Sequence, residues 1–235
     1  MLPEELISRS PLRILEKSTH GGVGKGNIGV IAARKGVGKT ACLVHMAIDR
    51  LFQNKHVIHV SFAADTSHIV TWYEEIYLEI RKRYNLEETE SLHDKLTQNR
   101  VIMNFRQNSS GVSRIRSAIL AMVNDGHFCA DLIVVDGYDF SSISPEEFAV
   151  LKEMAEDLDT ELWFSATIHR ESEEVDETGI PAPLSPFKDS VAILIRLEPR
   201  REYIHLHLLK DHEILPAADD LHLKLDPQLL LIAEE

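Results

Sequence analysis

The chain between Ile28 and Phe52 constrains the fold most, because an apolar run, a glycine-rich turn and a helical pattern follow one another there. The run Ile28 to Ala32 predicts a buried strand, and Gly36-Val-Gly-Lys-Thr40 follows it. After the turn, apolar residues recur at helical spacing, at Leu43, Ala47 and Leu51. Backbone N–H groups that converge between a strand and a helix N-terminus hold phosphate. The sequence therefore predicts a phosphate-binding loop here.

Val-Gly-Lys occurs twice, at residues 23–25 and 37–39, and only the second copy has the context that such a loop requires. Polar residues precede the first copy, and Lys25 is followed by Gly26, which has no hydroxyl for Mg²⁺. We interpret the first copy as a turn that leads into the first strand. The second copy departs from G-x-x-x-x-G-K-[ST] at one position, where Ala33 replaces the first glycine.

The second copy predicts a site for ATP and Mg²⁺. Lys39 is expected to reach the β- and γ-phosphates, and the hydroxyl of Thr40 to ligate the metal. The other predicted nucleotide-binding residues are Arg34, Lys35, Gly36, Val37, Gly38 and Ala41. Asp136 ends the apolar run that starts at Leu132, and we predict that its carboxylate holds the Mg²⁺ and its waters.

Beyond the loop, strand-like runs alternate with helical patterns, which is typical of βαβ units around a parallel sheet. The predicted strands are Ile28 to Ala32, His56 to Phe62, Val101 to Phe105, Leu132 to Val135 and Leu162 to Ala166. The predicted helices are Thr40 to Phe52, Ile69 to Tyr84, Leu86 to Gln98, Val112 to Asn124 and Pro145 to Leu158. Val191 to Leu197 and Tyr203 to Leu209 predict an antiparallel hairpin at the edge of the sheet. We expect a lead-in segment over residues 1–26 and one nucleotide-binding α/β domain over 27–235.

The composition of the chain limits the classes of partner that it can bind. A net charge of -13 opposes nonspecific attraction to nucleic acid or anionic lipid. The longest apolar runs are shorter than the roughly 20 residues that span a bilayer, so we expect a cytoplasmic protein.

The two cysteines, Cys42 and Cys129, lack C-x-x-C spacing, and we interpret them as reduced core residues. The histidines are not grouped at the i, i+4 spacing of metal ligands, and the run from Trp72 to Ile80 is interpreted as a core-facing helix rather than a platform for bases.

Three segments of the chain resemble RecA-like ATPases, and among them the DnaB-type helicase domain and KaiC-like proteins. The segments are Gly21 to Arg34, which also accounts for Ala33, then Leu132 to Asp136 with Leu162 to Arg170, and finally Ser185 to His212. The likeness covers roughly residues 12 to 232. It implies a mainly parallel twisted sheet flanked by helices, ending in an antiparallel hairpin. It also implies a homo-oligomer in which Lys210 and His212 face a neighbouring subunit's nucleotide.

The departures from the family pattern bear on hydrolysis. Ala63 stands where these ATPases have the glutamate that polarises water, and Asp65, two residues later, is the candidate substitute. Thr167 stands where a glutamine usually senses the γ-phosphate, and His212 replaces an arginine that reaches across subunits. These replacements predict slow or absent turnover. A cation supplied by Arg196, Arg200 or Arg201 is the alternative, and a solvated hairpin turn is the simpler interpretation of those arginines.

Residues 171–177 carry five carboxylates where DNA-handling members have basic or polar contacts to single strands. The loop is either a solvated acidic segment or a docking site for a basic protein, and both readings disfavour nucleic acid. We therefore expect an ATP-dependent switch or assembly module that contacts a protein partner. The alternative is an active ATPase motor of the helicase or recombinase type, with Asp65 as base. A kinase of a small substrate is a third hypothesis, for which the sequence offers no acceptor site.

Overall fold

The structure, a computed structural model, describes residues 3–63, 65–86, 90–106, 111–169, 174–217 and 220–235. Nine strands form one sheet: β1 Ile28–Ala33, β2 Val57–Ser61, β3 Arg100–Asn104, β4 Leu132–Tyr138, β5 Glu161–Thr167, β6 Ile193–Pro199, β7 Ile204–Asp211, β8 Leu223–Leu225 and β9 Ile232–Glu234. The helices are α1 Pro3–Ser8, α2 Leu12–Ser18, α3 Lys39–Phe52, α4 Ser67–Tyr84, α5 Glu90–Gln98, α6 Val112–Asn124 and α7 Pro145–Asp157. Among the described residues, no helix is both long and apolar enough to cross a membrane.

The sheet is mixed and mostly parallel, with the order β3-β2-β4-β5-β1-β6-β7-β8-β9. The first six strands of this order run parallel, and β7, β8 and β9 are added in antiparallel fashion. Strands β1 and β2 are buried along their whole length, as their unbroken apolar runs predict. Helices flank both faces: α3 and α4 contribute to one apolar core, and α6 and α7 to the other. The α/β expectation is confirmed at this level.

The predicted hairpin exists as β6 and β7, but its placement at the edge of the sheet is wrong. β6 pairs with β1 on one side, and β8 and β9 continue the sheet beyond β7. Leu223 and Leu225 of β8 are fully buried although the strand is only three residues long. Such a short strand has no periodicity that sequence reasoning can detect, so its position depends on pairing with β7.

The lead-in segment is more structured than the sequence indicated. Its two short helices pack on α3, and Arg50 of α3 donates to Glu16 and also to Glu161 of β5. The first Val-Gly-Lys copy lies in a turn, as interpreted, where the exposed ammonium of Lys25 is 2.7 Å from a carboxylate oxygen of Asp159.

Local signals set several element boundaries. Helix α7 begins with the capping box that Ser144-Pro-Glu-Glu147 indicates, in which each side chain accepts a hydrogen bond from the other residue's backbone N–H. Helix α4 begins at Ser67 rather than Ile69, and α5 begins at Glu90 rather than Leu86. Cys42 is buried as expected, but Cys129 is exposed, so its assignment to the core is wrong.

Candidate functional site

The predicted phosphate loop connects β1 to α3. Gly38 precedes the helix with φ 116°, and Gly36 has φ 80°. Residues that carry a Cβ rarely adopt such positive φ values. A Cβ on Gly36 would meet open space, whereas a Cβ on Gly38 would overlap Cδ2 of Leu225 in β8. The loop therefore needs glycine at both positions for conformation, and at Gly38 also for space.

Lys39 lies at the mouth of this loop and folds back over it. Its ammonium donates to the carbonyl of Ala33 at 3.1 Å and to that of Arg34 at 3.0 Å. Burial lowers the pKa of Lys39, and the charge of Asp136 opposes that effect. The ammonium is thus held close to the loop by two neutral acceptors, which an anionic ligand would outcompete.

Asp136 is fixed by two hydroxyl groups. One carboxylate oxygen accepts a hydrogen bond of 2.8 Å from Thr40 Oγ1, and the other accepts one of 2.6 Å from Ser165 Oγ. Ser165 Oγ in turn accepts the backbone N–H of Gly137 at 2.7 Å. Hydroxyl and carboxylate oxygens are the ligands that Mg²⁺ prefers. The residues predicted to hold the metal, Thr40 and Asp136, therefore meet and fit that role, and Ser165 is an additional partner.

These residues lie at the bottom of an open cleft of about 550 Å³. The predicted loop residues Lys35, Gly36, Val37, Gly38, Lys39, Thr40 and Ala41 line it, together with Asp136 and Thr167. One further wall comes from the β2–α4 connection and the first turns of α4: Phe62, Ala63, His68, Ile69 and Trp72. The opposite wall is apolar and comes from the C-terminal strands and their connection: Ile204, Leu225, Pro227 and Leu230.

Two predicted site residues lie outside the set that lines this cleft. Arg34 contributes its backbone carbonyl to Lys39 but does not line the cleft. The exposed carboxylate of Asp65 accepts hydrogen bonds from Ser67 Oγ at 2.6 Å and from Ser67 N at 3.0 Å. The hydrogen bond from the Ser67 side chain is the main reason that the pKa of Asp65 is lowered. Asp65 thus stabilises the start of α4, and its action as a base stays a prediction.

The candidate inter-subunit residues lie at opposite ends of the strands. The β6–β7 turn lies at the carboxyl end of β1, as the phosphate loop does, and there Arg200 donates to Glu198 at 3.0 Å. Lys210 lies at the other end of the strands and is buried, with its ammonium donating to the carbonyl of Val191 at 2.6 Å and to that of Lys188. The ammonium of Lys210 is therefore used within its own chain.

Part of the acidic loop of residues 171–177 is held by hydrogen bonds to the carboxylate of Asp176. Glu171 and Glu173 lie outside the described residues. Asp176 accepts hydrogen bonds from Thr178, Ile180 N and Ser185 Oγ. Burial raises the pKa of Asp176, but the bonds from Ser185 and Thr178 and from backbone N–H groups outweigh it and lower the pKa to about 2. At least one of the five carboxylates thus accepts hydrogen bonds from its own chain.

The interpretation of the Trp72 to Ile80 run as core is only partly right. Tyr73 and Ile76 are buried, but Trp72 is half-buried and lines the cleft with His68. The indole N–H of Trp72 donates to Nε2 of His68 at 3.1 Å. His68 and Trp72 are four residues apart, a spacing that brings two side chains together on the surface of a helix. The apolar residues around Trp72 predicted a buried face instead, so the sequence did not show that this pair lines the cleft.

Comparison with known proteins does not identify a family for this chain. A scan against models of protein families finds no match to the chain, and a search of curated proteins finds no significant match.

Proposed function

We propose that this protein binds a magnesium–nucleoside triphosphate, with ATP as the expected nucleotide, in a RecA-like P-loop site and acts as a nucleotide-dependent switch. The observation that carries the proposal is the 2.8 Å hydrogen bond between Thr40 Oγ1 and Asp136 Oδ2. It joins the hydroxyl that follows the glycine loop to a carboxylate on another strand, inside a cleft that also holds the Lys39 ammonium. This combination suits a phosphate chain with a bound Mg²⁺.

The walls of the cleft suggest how the nucleotide is oriented. Thr40 and Asp136 would hold a Mg²⁺ that accompanies the terminal phosphates, so we place the γ-phosphate on the Asp136 side of the loop. Strand β4, which carries Asp136, lies between β2 and β5 in the sheet, whereas β7 and β8 lie beyond β1 and β6 on the other side. The apolar wall of Ile204, Leu225 and Pro227 is therefore the surface for the base.

Slow hydrolysis is supported by the groups around the proposed γ-phosphate position. Among the described residues that line the cleft, Asp136 is the sole carboxylate, and its two oxygens are engaged by Thr40 and Ser165. Ala63 cannot orient a water molecule, and Asp65 is bound to Ser67. Without a base to orient water, and without a cation from a neighbour, which is worth about 10³- to 10⁵-fold in rate, hydrolysis is expected to be slow.

A site that binds but barely hydrolyses serves as a switch if the γ-phosphate biases a neighbouring segment. Ala63, His68 and Thr167 line the cleft next to this position, so we expect the loops that carry them, residues 63–68 and 167–178, to respond. Their displacement would alter a contact with a protein partner or with a second copy of the chain. An ATPase motor remains the alternative, in which an arginine of the β6–β7 turn supplies the missing cation.

Binding and turnover measured together test the proposal, with Lys39→Ala compared with Lys25→Ala. Both variants alter a Val-Gly-Lys, but Lys25 lies at the turn before β1 and contacts Asp159. Calorimetric titration with Mg-ATP should show binding for wild type and Lys25→Ala and its loss for Lys39→Ala, while phosphate release stays near background. Equal binding by all three proteins would contradict the proposed site, and rapid wild-type turnover would contradict the switch.

A further inference from the structure

His68 and Trp72 form a polar pair on the wall of the cleft that α4 provides. They lie one turn apart at the start of α4, with the indole N–H donating to His68 Nε2 at 3.1 Å and ring centroids 6.0 Å apart in an edge-to-face arrangement. The histidine is exposed and the tryptophan is half-buried against the α3–α4 core. The pair is therefore accessible to a ligand on one side and anchored on the other.

The hydrogen bond decides which nitrogen of His68 remains available. A neutral imidazole has one donor and one acceptor nitrogen, and the acceptor Nε2 is used by Trp72. The proton then lies on Nδ1, so His68 retains one N–H donor. A donor of this kind suits an anionic oxygen and cannot accept a proton from water at the same time. The pair is thus built for binding rather than for base catalysis.

The position of the pair relative to the metal-binding residues indicates which part of a nucleotide it meets. Ser61 of β2 lies directly opposite Asp136 of β4, and the chain runs from Ser61 through Phe62 and Ala63 toward α4. The wall formed by α4 is therefore on the Asp136 side of the phosphate loop. The C-terminal wall, where Leu225 contacts Gly38, is on the other side.

We propose that His68 donates its Nδ1–H to the terminal phosphate of a bound nucleoside triphosphate, and that Trp72 is a positioning residue that holds the imidazole in this tautomer. The inference rests on the proposed function and adds to it a group that distinguishes triphosphate from diphosphate. The pair belongs to α4, and α4 packs along α3, where the rings of Tyr77 and Phe52 lie 6.3 Å apart. The contact therefore transmits occupancy of the terminal phosphate to an 18-residue helix.

The test compares affinities for the magnesium complexes of the β,γ-imido analogue of ATP and of ADP, measured by calorimetry. One hydrogen bond to a charged oxygen predicts that His68→Ala weakens analogue binding about tenfold and leaves ADP binding unchanged. His68→Asn, which keeps an N–H donor near the position of Nδ1, should retain most of the preference for the analogue. His207→Ala, at another exposed histidine outside the cleft, is the matched control and should bind both nucleotides like wild type.

Tryptophan fluorescence supplies a second readout. The protein has two tryptophans, and Trp163 is 2% exposed in β5, so a change on nucleotide binding reports mainly on Trp72. The analogue should change the emission more than ADP does, and Trp72→Phe should abolish that difference and weaken analogue binding by a smaller factor than His68→Ala. Thermal unfolding of each variant verifies that it is folded.

The outcomes separate this inference from the proposed function. If wild type binds neither nucleotide, the phosphate site itself is wrong. If wild type binds both and His68→Ala changes neither affinity, the site stands and the role of His68 is overturned. An equal loss for analogue and ADP would also overturn it, since that pattern places the pair against the base or sugar rather than the terminal phosphate.

Discussion

Among single residues, Gly38 is the point at which the phosphate loop, helix α3 and strand β8 meet. It combines a φ of 116° with a side-chain position that Leu225 already occupies. Gly36, two residues earlier, has φ 80° but nothing within 4 Å of an added Cβ. The two glycines therefore allow backbone strain to be measured separately from steric overlap.

Gly38→Ala is expected to destabilise the protein more than Gly36→Ala. Alanine at either position introduces backbone strain of about 1–2 kcal/mol, because φ is positive there. Alanine at position 38 must also displace the side chain of Leu225. Urea unfolding of both variants measures the difference. In a double-mutant cycle, Leu225→Ala should remove the extra loss at Gly38, and an unchanged loss would show that the overlap is not its source.

Among the elements, one guanidinium group of α3 contacts both α2 and β5. Arg50 donates to both oxygens of Glu161 and to Glu16, and its side chain is 15% exposed. Burial lowers the pKa of Arg50, but the charge of Glu161 and the hydrogen bonds that Arg50 donates to Glu16 and Glu161 outweigh it, so the net shift of the pKa is upward. Removing the cation would leave the partly buried carboxylate of Glu161 without this partner, whereas Glu16 would keep its ion pair with Arg13.

Arg50→Met is therefore expected to lower the free energy of unfolding by about 2–3 kcal/mol, measured by urea denaturation at pH 7. Lys25→Met removes the exposed ion pair with Asp159, where both side chains are more than half exposed, and should change stability little. A loss for Arg50→Met no larger than that for Lys25→Met would contradict a structural role of the network.

For the molecule as a whole, stability should depend on pH through histidines that are buried neutral. His45 and His59 are fully buried, and burial lowers the pKa of each to about 4. Nδ1 of His45 accepts the N–H of Ile232 in β9 at 2.9 Å, which also requires the neutral ring. Unfolding restores a pKa near 6.5, so the unfolded chain binds more protons as the pH falls below that value.

The stability that each of these histidines provides is complete above about pH 6.5 and is lost as the pH falls toward 4. Between pH 7 and pH 5 we expect each to contribute a loss of about 2 kcal/mol, measured by urea unfolding at both values. His45→Asn keeps an acceptor for the N–H of Ile232 but has no ring that titrates. It should therefore reduce the loss of unfolding free energy between pH 7 and pH 5 by the amount expected for one histidine. An unchanged slope would show that His45 is not a source of it.

The charge of the whole chain bears on the motor alternative. A net charge of -13 and the carboxylates of residues 174–177 disfavour phosphate backbones. We expect no tight binding of single-stranded DNA at low salt, measured by fluorescence anisotropy with a labelled oligonucleotide. Tight, salt-sensitive binding with DNA-stimulated turnover would remove the switch and favour the motor.

Sequence by itself was sufficient for the features that depend on near neighbours in the chain. The strand–loop–helix from Ile28 to Phe52, the position of the second Val-Gly-Lys between a strand and a helix, and the capping box of α7 follow from local conformational preferences and apolar spacing. Thr40 and Asp136 were each predicted as metal-binding residues, and the structure places them in hydrogen-bond contact, because parallel strands present their carboxyl ends at the same end of a sheet.

Only the tertiary structure decided the features that depend on contacts between distant segments. It placed Leu225 against Gly38, gave Asp136 a second partner in Ser165, and assigned Asp65 to the start of α4. Strands β8 and β9 are three residues each, too short for a periodic signal, and they are defined by pairing across the sheet. The physical reason is that apolar spacing indicates which face of an element is buried, whereas the identity of what packs there is set by the fold as a whole.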